Sequence, residues 1–337
     1  MTRFIAMRSA PLVLSAVLAG LIGITSGSCA KAQGVASSYP TKPLRIVVPY
    51  PAGGGIDILS RVLGERLSQR LGQAVVVDNR AGAGTIVAAE FVARAAPDGY
   101  TLMVTSDATI SVNQHLYARL PYDPAKDFIA VTQLVLLNQL LLANPAVPVS
   151  NLKDLIVYAK ANPGKLNYAS YGSGSQPHLA MEMFKSQAGV DIVHVPYKGI
   201  PQAVPAALAG EVQLTFSGAA STQALIKAGK LKALAIGGKT RLALLPDVPT
   251  FAESGFPDVP ANAWFGLFVP AGTPRDIVMK LQAEVTRILK DPEFAQKEII
   301  AKGYEVVAST PEEFAAFLVT DSARNARAVK ISGAKAE

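Results

Sequence analysis

The chain has 337 residues, of which 50% are hydrophobic and 17% are charged, so it is long enough for two domains and apolar enough to bury a large core. This composition excludes an intrinsically disordered protein. The formal net charge is +7, but the basic residues are spread along the chain with few aromatic residues between them. The sequence therefore does not indicate a nucleic-acid-binding or membrane-surface protein.

Residues 1–32 have the pattern of an export signal. Arg3 and Arg8 precede an apolar segment that is short for a transmembrane helix, and Ala30-Lys31-Ala32 fits a cleavage site. Cleavage after Ala32 removes three basic residues and leaves 29 against 25 acidic residues, a net charge of +4. We therefore predict a signal peptide at 1–32 and export to the periplasm.

The single cysteine, Cys29, allows an alternative to this processing. In a lipoprotein the cysteine that becomes the first residue is acylated, which would anchor this chain to a membrane. We expect cleavage after Ala32 instead, because Ser26 stands where such signals usually carry leucine. The mature protein would then have no cysteine, and so neither a disulfide nor a thiolate metal site.

After the leader, β-branched and apolar segments alternate with segments of helical periodicity. The seven candidate strands are Leu44–Pro49, Ala74–Asp78, Tyr100–Ser106, Leu166–Tyr171, Ile192–Tyr197, Val212–Ser217 and Leu231–Gly237. This alternation predicts an α/β protein of mostly parallel sheets flanked by helices. An apolar stripe from Ile277 to Leu289 and the start signal Thr310-Pro311-Glu312-Glu313 predict a helical C-terminal part.

Two further apolar segments, Val131–Ala143 and Trp264–Pro270, are candidates for strands that cross between two domains. Such crossings would divide the chain into a first domain of residues 38–137 plus 264–337 and a second domain of residues 138–263. The alternative is that both segments are ordinary strands of one core.

Residues 50–57, which we call the first turn, follow the first candidate strand. Pro49 and Pro51 stop sheet pairing, because proline has no amide donor, and Gly53–Gly55 let the backbone turn tightly. Asp57 is predicted as the N-cap of the helix that follows. Free amides at the helix start, together with the positive end of its dipole, favour a carboxylate or phosphate. The alternative is a strand-to-helix turn that binds nothing.

Residues 171–178, which we call the second turn, repeat this design. The hydroxyls of Ser173 and Ser175 and free backbone amides precede a helix that Pro177 can begin. Ser106 and Ser217 end two other candidate strands. Since ligands of open α/β sheets bind beyond the carboxyl ends of the strands, we expect all these groups at one cleft. For each serine, the alternative is a helix cap or turn residue.

Enzyme motifs are weak in this chain. Gly82–Val87 resembles a dinucleotide-binding fingerprint, but it ends in valine where glycine or alanine is needed and lies several residues beyond its strand. The three histidines, His115, His178 and His194, have no metal-binding spacing, and His194 is predicted to be a core residue. We therefore predict no catalytic site, no metal site and no cofactor.

Nine segments share the residues, order and spacing of one family. They are Pro49–Asp57, Asn79–Gly84, Pro97–Leu102, Leu120–Pro124, His178–Ala180, His194–Gly199, Lys227–Leu231, Pro246–Thr250 and Pro270–Pro274. On these segments the chain resembles the Bug-type (TctC-type) extracytoplasmic solute receptors of the tripartite tricarboxylate transporters.

The resemblance implies two α/β domains of the periplasmic-binding-protein type that close on a ligand by a hinge. It also implies that the glycine-rich loop and the loop at Ser173–Ser175 hold a carboxylate, partly through ordered water. Two positions depart from the family pattern. Phe216-Ser217 stands where Phe-Asp is common, which removes a carboxylate that could pair with a ligand amine, and Asp321 to Asn325 replaces Glu-x-x-x-Trp, which is expected to affect packing.

We therefore predict a monomeric periplasmic receptor that binds a small carboxylate between two domains and delivers it to membrane transporter subunits. The predicted ligand-binding residues are Tyr50, Ala52, Gly53, Gly54, Ser106, Ser173, Ser175 and Ser217. Two other functions stay open at this point. One is a receptor of the same fold that reports its ligand to a membrane kinase, and the other is an α/β oxidoreductase or hydrolase.

Overall fold

The computed structural model describes residues 38–197, 200–242 and 244–335. The predicted signal peptide, the cleavage after Ala32 and the alternative anchor at Cys29 lie outside these residues. From Pro40 onward the described chain forms one compact unit. Within the described ranges, no helix has the length and hydrophobicity that crossing a membrane requires.

Ten strands and ten α-helices are described, together with short turns of 3-10 or π helix. The strands are β1 Leu44–Val48, β2 Val75–Asn79, β3 Thr101–Ser106, β4 Phe128–Ala143, β5 Asn167–Ser170, β6 Val193–Pro196, β7 Leu214–Gly218, β8 Lys232–Ile236, β9 Asn262–Pro270 and β10 Glu305–Val306. The helices are α1 Gly55–Leu71, α2 Ile86–Ala93, α3 Asn113–Leu116, α4 Leu152–Ala161, α5 Gln176–Ala188, α6 Ile200–Ala209, α7 Ala219–Lys227, α8 Arg275–Leu289, α9 Pro292–Phe294 and α10 Pro311–Ser332.

The strands form one mixed sheet with the order β2-β1-β3-β9-β4-β7-β5-β6, while β8 and β10 also pair with β4. β1 is parallel to β2 and β3, and β5 is parallel to β6 and β7. Every antiparallel pair among the described strands contains β4 or β9. The predicted α/β class with flanking helices is confirmed, and each of the seven candidate strands lies within two residues of its observed bounds.

The long strand β4 joins the two parallel groups. Its residues up to Asn138 pair with β9, and from Gln139 onward they pair with β7 and β8. β9 pairs only with β3 and β4 among the described strands. The division into two domains, 38–137 plus 264–337 and 138–263, stays a prediction.

The first helix after β1 begins differently from the prediction. Gly54 is the N-cap, with an extended backbone at φ −76° and ψ 163°, and Asp57 is the third helical residue. The prediction that Asp57 caps α1 is therefore wrong. Glycine serves at this position because the N-cap needs only a non-helical backbone, and the carboxylate then acts from inside the first turn of the helix.

The C-terminal helices follow their sequence signals. α8 buries its predicted apolar stripe, which includes Leu281 and Val285. α10 begins with a capping box between Thr310 and Glu313. On α10 the buried carboxylate of Asp321 accepts a hydrogen bond of 2.9 Å from the indole N–H of Trp264, so the departure from the family pattern at Asp321 lies in the core.

Candidate functional site

The first turn is fixed by a hydrogen bond between Gly53 and Asp57. Gly53 has a φ of +87°, a backbone conformation that favours glycine. Its amide donates to Asp57 Oδ2 at 2.8 Å, across four residues. The side chain of the third helical residue therefore reaches back and holds the residue before the N-cap.

Asp57 is held in turn by two neighbours. Arg61 contacts both of its carboxylate oxygens, at 3.1 Å from Nε and 2.9 Å from an Nη atom, and Asn79 Nδ2 donates to Oδ1 at 2.9 Å. Asn79 Nδ2 also donates to the carbonyl oxygen of Tyr50 at 3.0 Å. Burial raises the pKa of Asp57, but the hydrogen bonds from Arg61, Gly53 and Asn79 outweigh it, so the pKa lies below the usual 3.8.

The start of α1 leaves backbone donors free. Ala52, Gly53 and Gly54 are exposed. In the described part of the chain, the amides of Gly55 and Ile56 have no hydrogen-bond partner. Because these amides lie at the positive end of a helix of 17 residues, they can bind an anion.

Tyr50 and Ser106 are brought together at the carboxyl ends of β1 and β3. The Tyr50 hydroxyl lies 2.7 Å from Ser106 Oγ. Burial raises the pKa of Tyr50, so its hydroxyl keeps its proton. This pair can present hydroxyl donors to a ligand oxygen.

Asp107, which the sequence reading did not select, follows Ser106 directly. Burial raises the pKa of its carboxyl to about 7, and the negative charge of Asp321 adds to the effect, while hydrogen bonding to Ser106 and the positive charge of Arg324 oppose it. An acidic residue directly after a strand that ends at the predicted cleft was the available signal. Asp107 is therefore a titratable group beside the predicted residues Tyr50 and Ser106.

The second turn is fixed by the same kind of hydrogen bond as the first. Gly174 has a φ of +75°, and its amide donates to His178 Nδ1 at 3.0 Å, across four residues. Ser175 is the N-cap of α5, and its hydroxyl donates to the carbonyl oxygen of Gly172 at 2.6 Å. Ser173 is exposed, and the amides of Ser173 and Gln176 have no partner among the described residues.

The imidazole of His178 stacks on that of His194, with ring centroids 4.1 Å apart and planes at 12°. His194 also stacks on Tyr168 at 5.0 Å and lies 2.6 Å from Ser170 Oγ through its Nε2. Burial lowers the pKa of His178 to about 4, with a further contribution from His194. His194 was predicted to be an ordinary core residue. It is instead half buried, and its ring packs against the side chain of His178 that holds the second turn.

Ser217 is fully buried at the end of β7. Its Oγ lies 3.0 Å from Ser221 Oγ, and Ser221 Oγ also donates to the carbonyl oxygen of Gly218. The Tyr171 hydroxyl donates to the carbonyl oxygen of Phe216, the neighbour of Ser217. The predicted residue Ser217 therefore lies beside Tyr171 of the second turn, and Tyr171 and Ser221 are polar groups that the sequence reading missed.

The sheet register places the two groups opposite each other along β4. Through β9, the end of β3 at Ser106 aligns with Phe265 and hence with Val135 of β4. The end of β7 at Gly218 aligns with Gln139 of β4. β3 runs in the direction of β4 and β7 runs against it, so their carboxyl ends approach from opposite directions and stop four residues apart. At about 3.4 Å per residue, this interval is roughly 14 Å along β4.

The eight predicted residues therefore fall into two groups. One contains Tyr50, Ala52, Gly53, Gly54 and Ser106, and the other contains Ser173, Ser175 and Ser217. Among the residues that the structure describes, no hydrogen bond joins the two groups. A cavity of about 370 Å³ is lined by their neighbours Gly55 and Ser221, and none of the eight residues is among its lining residues.

Neither metal-ligand geometry nor a dinucleotide turn is found at these positions. In ranges 38–197, 200–242 and 244–335, no cluster of three or more His, Cys, Asp or Glu side chains could hold a metal ion. His115 contacts α10, where its Nε2 lies 3.0 Å from Ser322 Oγ. Gly82–Val87 forms a 3-10 turn at Ala83–Thr85 in which Thr85 has a φ of +82°.

Comparison with known proteins identifies the family. The model of the tripartite tricarboxylate transporter family receptor matches residues 59–333. BugT of Bordetella pertussis is 35% identical over 322 residues, which are 94% of this chain and 98% of BugT.

Two solved structures share the fold as well as the sequence. An R. palustris protein solved with adipate is 34% identical, with a TM-score of 0.75 over 88% of this chain and 98% of that chain. MatC from Rhodopseudomonas palustris, with bound malate, is 33% identical, with a TM-score of 0.71 over 86% of this chain and 100% of MatC. The resemblance found in the sequence is confirmed: the chain belongs to the tripartite tricarboxylate transporter receptor family, and it is a solute-binding receptor and not an enzyme.

Proposed function

We propose that this receptor captures a small organic acid between the first and the second turn and delivers it to the membrane subunits of a tripartite transporter. The observation that carries the proposal is the pairing of the two turns. Each follows the carboxyl end of a parallel strand, and in each one glycine amide donates a hydrogen bond to a side chain of the following helix. Both leave other amides free at the positive end of a helix.

The ligand class follows from the donors and from the relatives. The groups at the two turns are backbone amides and hydroxyls, which suit carboxylate oxygens. Two relatives were solved with adipate and with malate. Ser217 is uncharged and supplies no carboxylate for a ligand amine, so an organic acid without an amino group fits this chain better than an amino acid.

The proposed ligand contacts are the eight residues selected from the sequence. Tyr50 and Ser106 provide hydroxyls, Ala52, Gly53 and Gly54 allow close approach of the backbone, and Ser173, Ser175 and Ser217 provide the opposite side. Each hydrogen bond to a charged acceptor is worth about 1.5–3 kcal/mol, so several acting together are needed for useful affinity. The receptor acts as a monomer, with residues 138–263 closing against 38–137 plus 264–337.

Binding is tested by calorimetric titration of the purified mature protein with adipate, malate and aspartate. We expect adipate or malate to bind and aspartate to bind less well. Ser106→Ala and Ser173→Ala should each weaken binding, whereas Ser186→Ala, an exposed serine near the end of α5, serves as the matched control. Failure of a broader panel of mono-, di- and aromatic carboxylates to bind would refute the ligand class.

Closure and delivery need separate experiments. If residues 138–263 move as a domain, adding the acid that binds should reduce the radius of gyration measured by small-angle X-ray scattering. If the receptor is a monomer, light scattering should give the mass of one chain. Uptake of the labelled acid by vesicles that contain the transporter subunits should require this receptor. Binding without any stimulated uptake would instead support a receptor that signals through a membrane kinase.

A further inference from the structure

The two turns use one local design with two different acceptors. In the first, Gly53 donates to the carboxylate of Asp57, and in the second, Gly174 donates to the imidazole of His178. In both, the donor is a glycine of positive φ just before the N-cap, and the acceptor is the third residue of the helix. His178 therefore holds the second turn as Asp57 holds the first.

The two acceptors differ in how they respond to a proton. An imidazole nitrogen accepts a hydrogen bond only while it carries no proton, so the hydrogen bond from Gly174 requires Nδ1 of His178 to be unprotonated. A proton on Nδ1 would place two N–H groups against each other. Asp57, by contrast, is stabilised in its charged form by Arg61.

The groups around His178 keep its ring neutral. Burial disfavours any charge on the ring, and the stacked ring of His194 disfavours a second positive charge, which together lower the pKa of His178 to about 4 from the usual 6.5. On α5, Glu182 favours the charged ring, but Lys185 opposes it and forms an ion pair with Glu182 at 2.7 Å. The hydroxyl of Tyr168 on β5 also donates to Glu182 at 2.7 Å.

We propose that His178 is a positioning residue for the bound acid, and that a proton on its imidazole frees Gly174, disorders the second turn and releases the ligand. This inference rests on the proposed function and adds a regulation of the same site. The released amide of Gly174 no longer orients the neighbouring amide of Ser173, so the donors on this side of the ligand lose their arrangement.

The test compares two substitutions of His178. In His178→Asn the side-chain Oδ1 can take the place of Nδ1 and cannot titrate, whereas in His178→Phe the ring shape is kept and the acceptor is lost. His115→Asn is the matched control, because His115 is also partly buried with its pKa lowered by burial and lies outside both turns. The dissociation constant of adipate is measured by calorimetry from pH 7 to pH 3, with circular dichroism to define the folded range.

The wild-type protein and the His115→Asn control should lose more affinity on acidification than His178→Asn does. For a group with a pKa of about 4, the extra loss is about fourfold at pH 3.5 and about tenfold at pH 3. Protonation of the adipate itself cancels in this comparison, because the same ligand is used. His178→Phe should bind at least several-fold more weakly already at pH 7. Identical pH profiles for the wild type and His178→Asn would overturn the proposal.

A second readout separates this proposal from the proposed function. If no organic acid binds the wild type at pH 7, the proposed function fails, but the amide resonance of Gly174 in nuclear magnetic resonance spectra still reports on His178. We expect that resonance to titrate with the imidazole in the wild type and to stay fixed in His178→Asn. A Gly174 amide that does not respond to pH within the folded range of the wild type would refute the positioning role.

Discussion

Replacing Asp57 by asparagine tests how the first turn is held. The substitution keeps the shape of the side chain and replaces one oxygen by an NH2 group. Oδ2 accepts from Gly53 and Arg61, and Oδ1 accepts from Arg61 and Asn79. Whichever way the amide is turned, its NH2 group therefore faces N–H donors and leaves at least one of them without a partner.

The expected loss of stability follows from these contacts. The new NH2 group at position 57 is buried and faces no acceptor, and a buried donor left unpaired costs about 1–3 kcal/mol. Arg61 adds little, because about half of its side chain is exposed and water can replace the carboxylate. We therefore expect Asp57→Asn to lower the free energy of unfolding by about 2 kcal/mol, a fall of roughly 4–8 °C in Tm for domains of 150–250 residues. Ligand affinity should fall as well, because Gly53 is no longer fixed.

Thermal and urea denaturation at pH 7, with calorimetric titration of adipate, measure both effects. Asp78→Asn is the matched control, since Asp78 lies at the end of β2, pairs with Arg45 and Arg80, and does not contact the turn. The pKa of Asp57 is lowered in the folded protein, so its contribution is present above pH 3.8 and is lost as the pH falls through the folded pKa. An Asp57→Asn protein with the stability and affinity of the wild type would refute the role given to Asp57.

Three further substitutions test the electrostatics and the packing. The pKa of Asp107 is raised to about 7, so its stabilising contribution is present below pH 3.8 and is lost as the pH rises through 7. As the pH is raised from 5 to 8, the free energy of unfolding of Asp107→Asn, measured by urea titration, should increase by roughly 2–3 kcal/mol relative to that of the wild type. A difference that stays constant with pH would contradict this. Asp321→Ala removes the buried acceptor of the Trp264 indole and should lower the free energy of unfolding by about 1–3 kcal/mol. Unfolding can be followed by the fluorescence of this single tryptophan, and no loss of stability would show that the hydrogen bond contributes little. In Gly237→Ala the new Cβ would overlap the carbonyl oxygen of Ala261, so the loss of stability should exceed the roughly 1–3 kcal/mol usual for overpacking. A soluble protein of normal Tm would refute this.

Strand positions could be predicted from the sequence because their signals are local. β1 is a β-branched segment that ends at Pro49, and β7 is an apolar segment that ends in serine and glycine. The first turn was placed for the same reason. The role of Asp57 could not be predicted, since a carboxylate near a helix start can cap from the N-cap position or from the third helical residue. Only the backbone of Gly54 decides between them.

The support of the second turn could not be predicted because it is not local. His178 lies on α5 and His194 on β6, and their rings meet only because β6 pairs beside β5 while α5 crosses over them. The sequence shows two separate histidines with no metal-binding spacing. Asp107 was missed for a related reason, since its raised pKa depends on burial and on Asp321, which is remote in the sequence.

A shared electrostatic property links the polar groups on both sides of the proposed site. The carboxylate of Asp57 is paired with Arg61, and His178 accepts its hydrogen bond as a neutral ring. Asp107 has a raised pKa, and Ser217 supplies a neutral hydroxyl. Each position therefore supplies an acceptor or a hydroxyl without adding an unpaired negative charge below about pH 7. Because an anionic ligand would be repelled by such a charge, this chain can hold both turns by hydrogen bonds and still accept an organic acid between them.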